Sequence, residues 1–226
     1  MGAFKDLLEK QEIIILDGAL GTELERQGYD VSGRLWSAKY LLENPQIIKD
    51  LHEDYVRAGS DIITTSSYQA SIPAFVEEGL SLDKAHELFK ETVFLAQAAV
   101  KNVWQGLSLD DQQRSYPLIA GSVGPYAAYL ADGSEYTGAY HLSEAEFQDF
   151  HRPRIQALLD AGCDLLALET IPNGAETEAL VHLLSEEFSQ VEAYLSFTAQ
   201  TTSAISDGTL IEEVGRLAQS SPQVLA

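Results

Sequence analysis

The chain has 226 residues, 45% of them hydrophobic and 22% charged, the composition of a globular domain long enough to bury a core without disulfide staples. Its single cysteine, Cys163, excludes an intramolecular disulfide framework and a zinc site built from several cysteines of this chain. Fourteen Lys and Arg against 35 Asp and Glu leave a formal charge of −21, which repels nucleic acid and anionic membranes and suits cationic or zwitterionic ligands.

The opening MGAFKDLLEK has no apolar run of signal-peptide length, and no stretch approaches the roughly 20 apolar residues of a membrane span. A cytoplasmic protein is expected. Five short, nearly continuous apolar runs follow: Ile13–Asp17, Asp61–Ser67, Pro117–Ser122, Asp164–Glu169 and Ala193–Thr198. Such runs suit parallel strands covered on both faces. Helical patterns lie between them. Asn44-Pro45 predicts a capped start for a helix ending near Ala58 at Gly59. Ser81 opens a long pattern toward Trp104. Ser143 with Glu146 and Thr209 with Glu212 match the capping box, and Asn173 with Glu176 does so more loosely. A sixth strand is expected to begin at Pro222–Ala226, where the sequence given stops. Strand–helix repetition fits an open doubly wound sheet or a barrel. No G-x-G-x-x-G follows the first strand, which weighs against a dinucleotide site.

The predicted strands end in polar residues: Asp17, Thr65 with Ser67, Ser122, Glu169 and Thr198. In a barrel these ends share one rim. Each residue also has a structural reading. Asp17 could cap the helix after Gly18. Glu169, after an apolar run, could belong to an internal ion pair. The hydroxyls and amide of the stretch Thr64–Ser71, Thr65 and Ser67 among them, could hold a ligand carboxylate or satisfy turn backbone. Two acids at one mouth favour a ligand carrying an ammonium group. The long connection after Gly124 holds Tyr126, Tyr129, Tyr136 and Tyr140, which could face a cation or glue the loop down. His52, His86, His141, His151 and His182 form no zinc motif and read as surface or helix residues. Cys163 reads as a structural thiol away from the rim. No lysine ends a predicted strand, so a Schiff-base lyase is disfavoured.

Four stretches together resemble the homocysteine S-methyltransferase family: LDGALGTELERQG (Leu16–Gly28), LWSAKYLLENPQIIKDLHEDYVRAGSDIITTSSYQAS (Leu35–Ser71), GSVGPYAAYLADGSEYTGAY (Gly121–Tyr140) and LETIPNGAETEAL (Leu168–Leu180). The branch they are most similar to uses S-methylmethionine. The resemblance implies a (β/α)8 TIM barrel in which zinc holds the homocysteine sulfur as thiolate. That thiolate takes a methyl group from a sulfonium donor, S-methylmethionine or S-adenosylmethionine, and gives methionine. By the same resemblance, Asp17 and Glu169 match the acids on the homocysteine amino group. Thr65 and Ser67 line the same pocket, and Ser122 and Gly124 match the third strand's end.

The family's three zinc cysteines would fall past the sixth strand and near the eighth, and Cys163 matches none of them. The expectation is therefore a single domain over 1–226, an incomplete barrel of five to six units. It keeps the amino-acid clamp, holds no zinc itself, is catalytically impaired alone, and exposes barrel edges that favour a homo-oligomer. The alternative is a non-catalytic amino-acid-binding or self-assembling fragment. Gln200–Ser206 (QTTSAIS) departs from the family pattern.

Overall fold

The computed structural model describes residues 2–31 and 36–226. Leu35, which opens one of the matching stretches, lies outside them. A parallel four-stranded sheet runs in chain order: β1 (Ile62–Thr64), β2 (Leu118–Val123), β3 (Leu165–Ile171) and β4 (Ala193–Phe197). Ten α-helices are described: α1 (Ala3–Lys10), α2 (Leu20–Arg26), α3 (Tyr40–Glu43), α4 (Pro45–Ala58), α5 (Ile72–Glu77), α6 (Leu82–Gly106), α7 (Tyr126–Leu130), α8 (Glu144–Asp160), α9 (Gly174–Glu187) and α10 (Ile211–Ser220). None is long and apolar enough to cross a membrane. The register pairs Ile62 with Leu118, Ala120 with Leu165 and Leu166 with Ala193.

Two flanking segments extend this order by one residue pair each. Leu16 bridges Ile62 on one side, and Val224 bridges Ala193 on the other. The first predicted strand, Ile13–Asp17, is thus corrected to a single parallel bridge. Its backbone still reaches β1, with Asp17 N–H donating to Ile62 O at 3.1 Å and Ile15 O accepting from Asp61 N–H at 2.7 Å. Ile13 and Ile15 are 76% and 54% exposed, and among the described residues no further strand pairs with this edge to hold a longer ladder.

Alternation along the strands separates two apolar layers. Ile63, Ile119, Val123, Leu166 and Leu168 join the large core formed with α4, α6, α8 and α9. Ile62, Ala120, Leu165 and Ala167 point the other way and meet Phe4 and Leu7 of α1. That helix was not foreseen from sequence. Glu192 accepts from Phe4 N–H at 2.9 Å and Lys5 N–H at 3.2 Å, placing a carboxylate at the helix N-terminus.

Several helix ends follow their signals. Gly59 closes α4 at φ 106°, in the left-handed region that glycine adopts freely. Ser81 caps α6, and Ser143 with Glu146 forms the full capping box of α8. Two expectations are corrected. Asn44 precedes Pro45 without a side-chain cap. Thr209 does not open α10, whose N-cap is Leu210 with no side-chain bond. Residues 199–210 instead fold back through the antiparallel bridges Ala199–Ile205 and Ala204–Leu210, which hold Thr209 and Leu210 extended.

Candidate functional site

On the layer that carries Ile62, Ala120 and Ala167, the strand direction changes the chemistry. Two residues further on, the same faces present Thr64, Ser122 and Glu169. An apolar floor thus gives way to a polar rim. Here a cavity of about 370 Å³ is lined by, among others, Asp17, Thr64, Ser66, Tyr68, Glu169 and Tyr194.

Asp17 does not cap α2, whose N-cap is Ala19. Its carboxylate accepts from Thr64 N–H at 2.9 Å and from the Thr64 hydroxyl at 2.8 Å. The turn after it is closed by Gly18. A Cβ on Gly18 would lie 2.7 Å from the Tyr55 hydroxyl oxygen, so no larger residue fits without movement. Burial pushes the Asp17 carboxyl up to about 7 against the Thr64 hydrogen bonds, and the Glu169 charge adds to the rise. Glu169 is also raised by burial, and the Ser122 hydroxyl, which donates to it, opposes that shift. The two acids therefore share one cavity and destabilise each other's charged forms.

The backbone turns sharply beside Glu169. Thr170 has φ 65°, strained for a β-branched residue, at an irregularity of β3 between Leu168 and Ile171. Its N–H donates to Ser196 Oγ at 3.0 Å. The break in alternation places Glu169 and Thr170 both on the cavity wall.

The other predicted residues sit around this centre in different ways. Ser122 Oγ reaches Glu169, but Ser122 is fully buried. Ser67 Oγ donates to Ser122 O at 2.7 Å, and Ser122 N–H donates to Thr65 Oγ1 at 2.9 Å. With the Ser67 proton used, Thr65 must donate in the 2.8 Å contact between the two hydroxyls. Thr65 and Ser67 thus saturate each other and lock β1 to β2. Thr65 lines the cavity, and Ser67 does not. Gly124 lies behind the wall, where an added Cβ would stand 2.4 Å from Tyr68 O and 2.8 Å from its ring.

Thr64, Ser66 and Tyr68, from the Thr64–Ser71 stretch singled out in the sequence, also line the wall, whereas Tyr194 escaped the reading from sequence. Period-two alternation from Ile62 selects Thr64, the residue that holds Asp17, beside Thr65. Ser66 is buried, and its hydroxyl has no hydrogen-bond partner among the described residues, which leaves it available to a ligand. Thr198 turns away and donates to Glu135 O at 3.1 Å, while Ser206 of the QTTSAIS stretch donates to Thr198 Oγ1 at 2.7 Å. The tyrosine alternatives resolve toward glue. Tyr126, Tyr129 and Tyr140 pack among themselves and with Phe147 and Phe150, and Tyr136 is largely exposed.

The described residues do not fit a thiolate zinc centre. No group of three or more His, Cys, Asp or Glu could hold a metal ion among them. Cys163 sits just before β3, its Sγ 3.1 Å from where a Cβ on Gly121 would stand, and burial raises its thiol to about 12. Such a thiol is a poor ligand and a poor nucleophile at neutral pH.

Comparison with known proteins bears directly on this cavity. Residues 14–226 match the family described as homocysteine S-methyltransferase. The homocysteine S-methyltransferase of Escherichia coli is 48% identical over 220 residues, covering 97% of this chain and 69% of that protein. The Bacillus subtilis homocysteine S-methyltransferase YbgG is 47% identical over 211 residues, 92% of this chain and 66% of that protein. The metallated form of the Escherichia coli homocysteine methyltransferase MmuM superposes with a TM-score of 0.91 at 47% identity, over 98% of this chain and 75% of that one. This chain therefore spans about two thirds of the length of the curated relatives it matches. It belongs to the homocysteine S-methyltransferase family.

Proposed function

We propose that these 226 residues carry the amino-acid clamp of a homocysteine S-methyltransferase, in a single domain built as an incomplete (β/α)8 barrel. The observation that carries the reading is the meeting of Asp17 and Glu169 in one cavity. Each acid raises the cost of charging the other, and an α-ammonium group between them removes that cost. Thr64 orients Asp17, and Ser122 orients Glu169. The Ser66 hydroxyl, the one among residues 64–67 whose proton is not spent within the described residues, suits the ligand's carboxylate.

The overall transfer moves a methyl cation equivalent from a sulfonium donor to the homocysteine sulfur. The thiol proton is lost, a C–S bond forms, and the donor leaves as a neutral thioether. With S-methylmethionine as donor both products are methionine; with S-adenosylmethionine the second product is its demethylated thioether. No general acid is needed for such a leaving group. Thiolate activation by zinc is not supplied by the described residues, so the chain as given is proposed to bind the amino acid and to turn over poorly alone. A cytoplasmic setting belongs to the same proposal, since a lone cysteine needs no oxidising compartment.

Calorimetric titration of the 226-residue chain with L-homocysteine and L-methionine tests the clamp. Saturable binding is expected. Asp17→Asn and Glu169→Gln are each expected to weaken it at least about tenfold, the loss of one charged hydrogen-bonding partner. Undiminished affinity in both variants would overturn the assignment.

A further inference from the structure

Behind the cavity wall lies a second buried polar group that the clamp does not use. His151 and Glu176 are wholly buried, and Arg154 is 2% exposed. Glu176, on α9, accepts from Tyr126 N–H at 2.6 Å, from the Tyr140 hydroxyl and from His151 Nε2 at 2.7 Å. Arg154, on α8, donates to His151 Nδ1, from Nη2 at 2.5 Å and from Nε at 3.2 Å, and also to the Gly124 carbonyl. Arginine only donates, so His151 Nδ1 accepts and the ring's hydrogen sits on Nε2, pointing at Glu176. The imidazole is neutral, in line with burial lowering its pKa to about 4.

Buried ionic groups of this kind seldom stabilise a fold more than apolar packing would. What this one holds is specific. Its two ends grip the Gly124 carbonyl and the Tyr126 amide, the backbone that leaves β2. Gly124 is pressed against the backbone oxygen and ring of Tyr68, a cavity-wall residue. Two residues earlier, Ser122 holds Glu169. One face of the Ser122–Tyr126 segment therefore sets the cavity, and its opposite face is fixed by Arg154 and Glu176.

We propose that Arg154, acting with His151 and Glu176, is a positioning residue for the amino-acid cavity. It clamps Gly124 so that Tyr68 closes the wall and Ser122 aims Glu169 at the ligand. The proposal rests on the amino-acid reading of that cavity.

The test compares the full chain with Arg154→Met, Arg154→Lys and, as control, Arg152→Ala. Arg152 lies on the same helix but pairs at the surface with Asp149 and Glu187. Three quantities are read: L-methionine affinity by calorimetry, the Tyr68 ring signal in ¹³C-tyrosine NMR (assigned with Tyr68→Phe), and the melting temperature. Arg154→Met is expected to melt cooperatively, to bind at least tenfold more weakly and to shift the Tyr68 signal. Arg154→Lys is expected to recover at least threefold of that loss, since the charge stays and the fork is lost. Arg152→Ala should match the parent in affinity and spectrum. Parental affinity and an unmoved Tyr68 signal in folded Arg154→Met would overturn the proposal. If Arg154→Met does not fold, Glu176→Gln, which keeps an acceptor, is read the same way. If the parent binds no amino acid, the clamp assignment fails, and the Tyr68 signal alone decides the positioning role: moved supports it, unmoved ends it.

Discussion

Asp17 carries a carboxyl that burial and Glu169 raise from 3.8 to about 7. Because the folded protein holds that proton more tightly than the unfolded chain, the group's favourable contribution is complete below about pH 4. It is lost as pH rises through about 7. Ligand binding has the opposite slope, since an ammonium group needs the ionised acid. We expect L-methionine affinity to climb between pH 5.5 and 7, by up to about tenfold per unit, and to level off above. Asp17→Asn should flatten that climb and gain roughly 2 kcal/mol of stability at pH 8. Calorimetry across pH with parallel urea melts measures both. An affinity independent of pH in the parent chain would show that Asp17 takes no part. At this scale the meeting of Asp17 and Glu169 at one cavity was legible in the sequence, because each ends an apolar run, where a carboxylate is costly unless paired or hydrogen-bonded. The hydroxyl stretch Thr64–Ser71 was legible too, but not the division of labour within it: Thr64 and Thr65 both line the cavity, and only the folded contacts show that Thr64 holds Asp17 while Thr65 is spent on Ser67 and Ser122.

Helix signals worked where the chain around them was free to obey. Ser143 and Thr209 both open a pattern with a glutamate three residues on, yet only Ser143 caps. Ser143 starts α8 in open surroundings and accepts from Glu146 N–H. Thr209 is held by the antiparallel bridges of residues 199–210, and its amide donates to Asp207 Oδ1 at 2.8 Å. Tertiary pairing overrides the local pattern there. We expect Ser143→Ala to cost about 1 kcal/mol in a denaturant melt. Removing the Thr209 hydroxyl in Thr209→Ser→Ala steps should cost less than about 0.5 kcal/mol at the hydroxyl step. Equal costs would show that both residues cap in solution. The first strand failed for a related reason. Its composition is fully strand-like, but a strand's length depends on what pairs with both of its edges, and the ladder here joins only Leu16 to β1.

Across the whole molecule, two tendencies oppose each other. Ile13, Ile15 and Leu16 leave apolar side chains exposed along one edge of the sheet. Such an edge is a template for another strand, and a second copy of the chain is the partner always at hand. Against this stands a net charge of −21, which keeps copies apart at low ionic strength. Salt screens the charge over a Debye length of about 10 Å at 0.1 M and leaves the apolar attraction intact. Self-association should therefore strengthen as salt rises, where a contact built from ion pairs would weaken. Sedimentation velocity between 20 mM and 500 mM sodium chloride is expected to show dimers or larger species gaining at the expense of monomer. Ile13→Lys with Ile15→Lys should restore the monomer at every salt concentration, since charged side chains are what edge strands use to refuse partners. A parent chain that stays monomeric at high concentration and high salt would mean that the edge is protected in solution, and the self-assembling reading would fall with it.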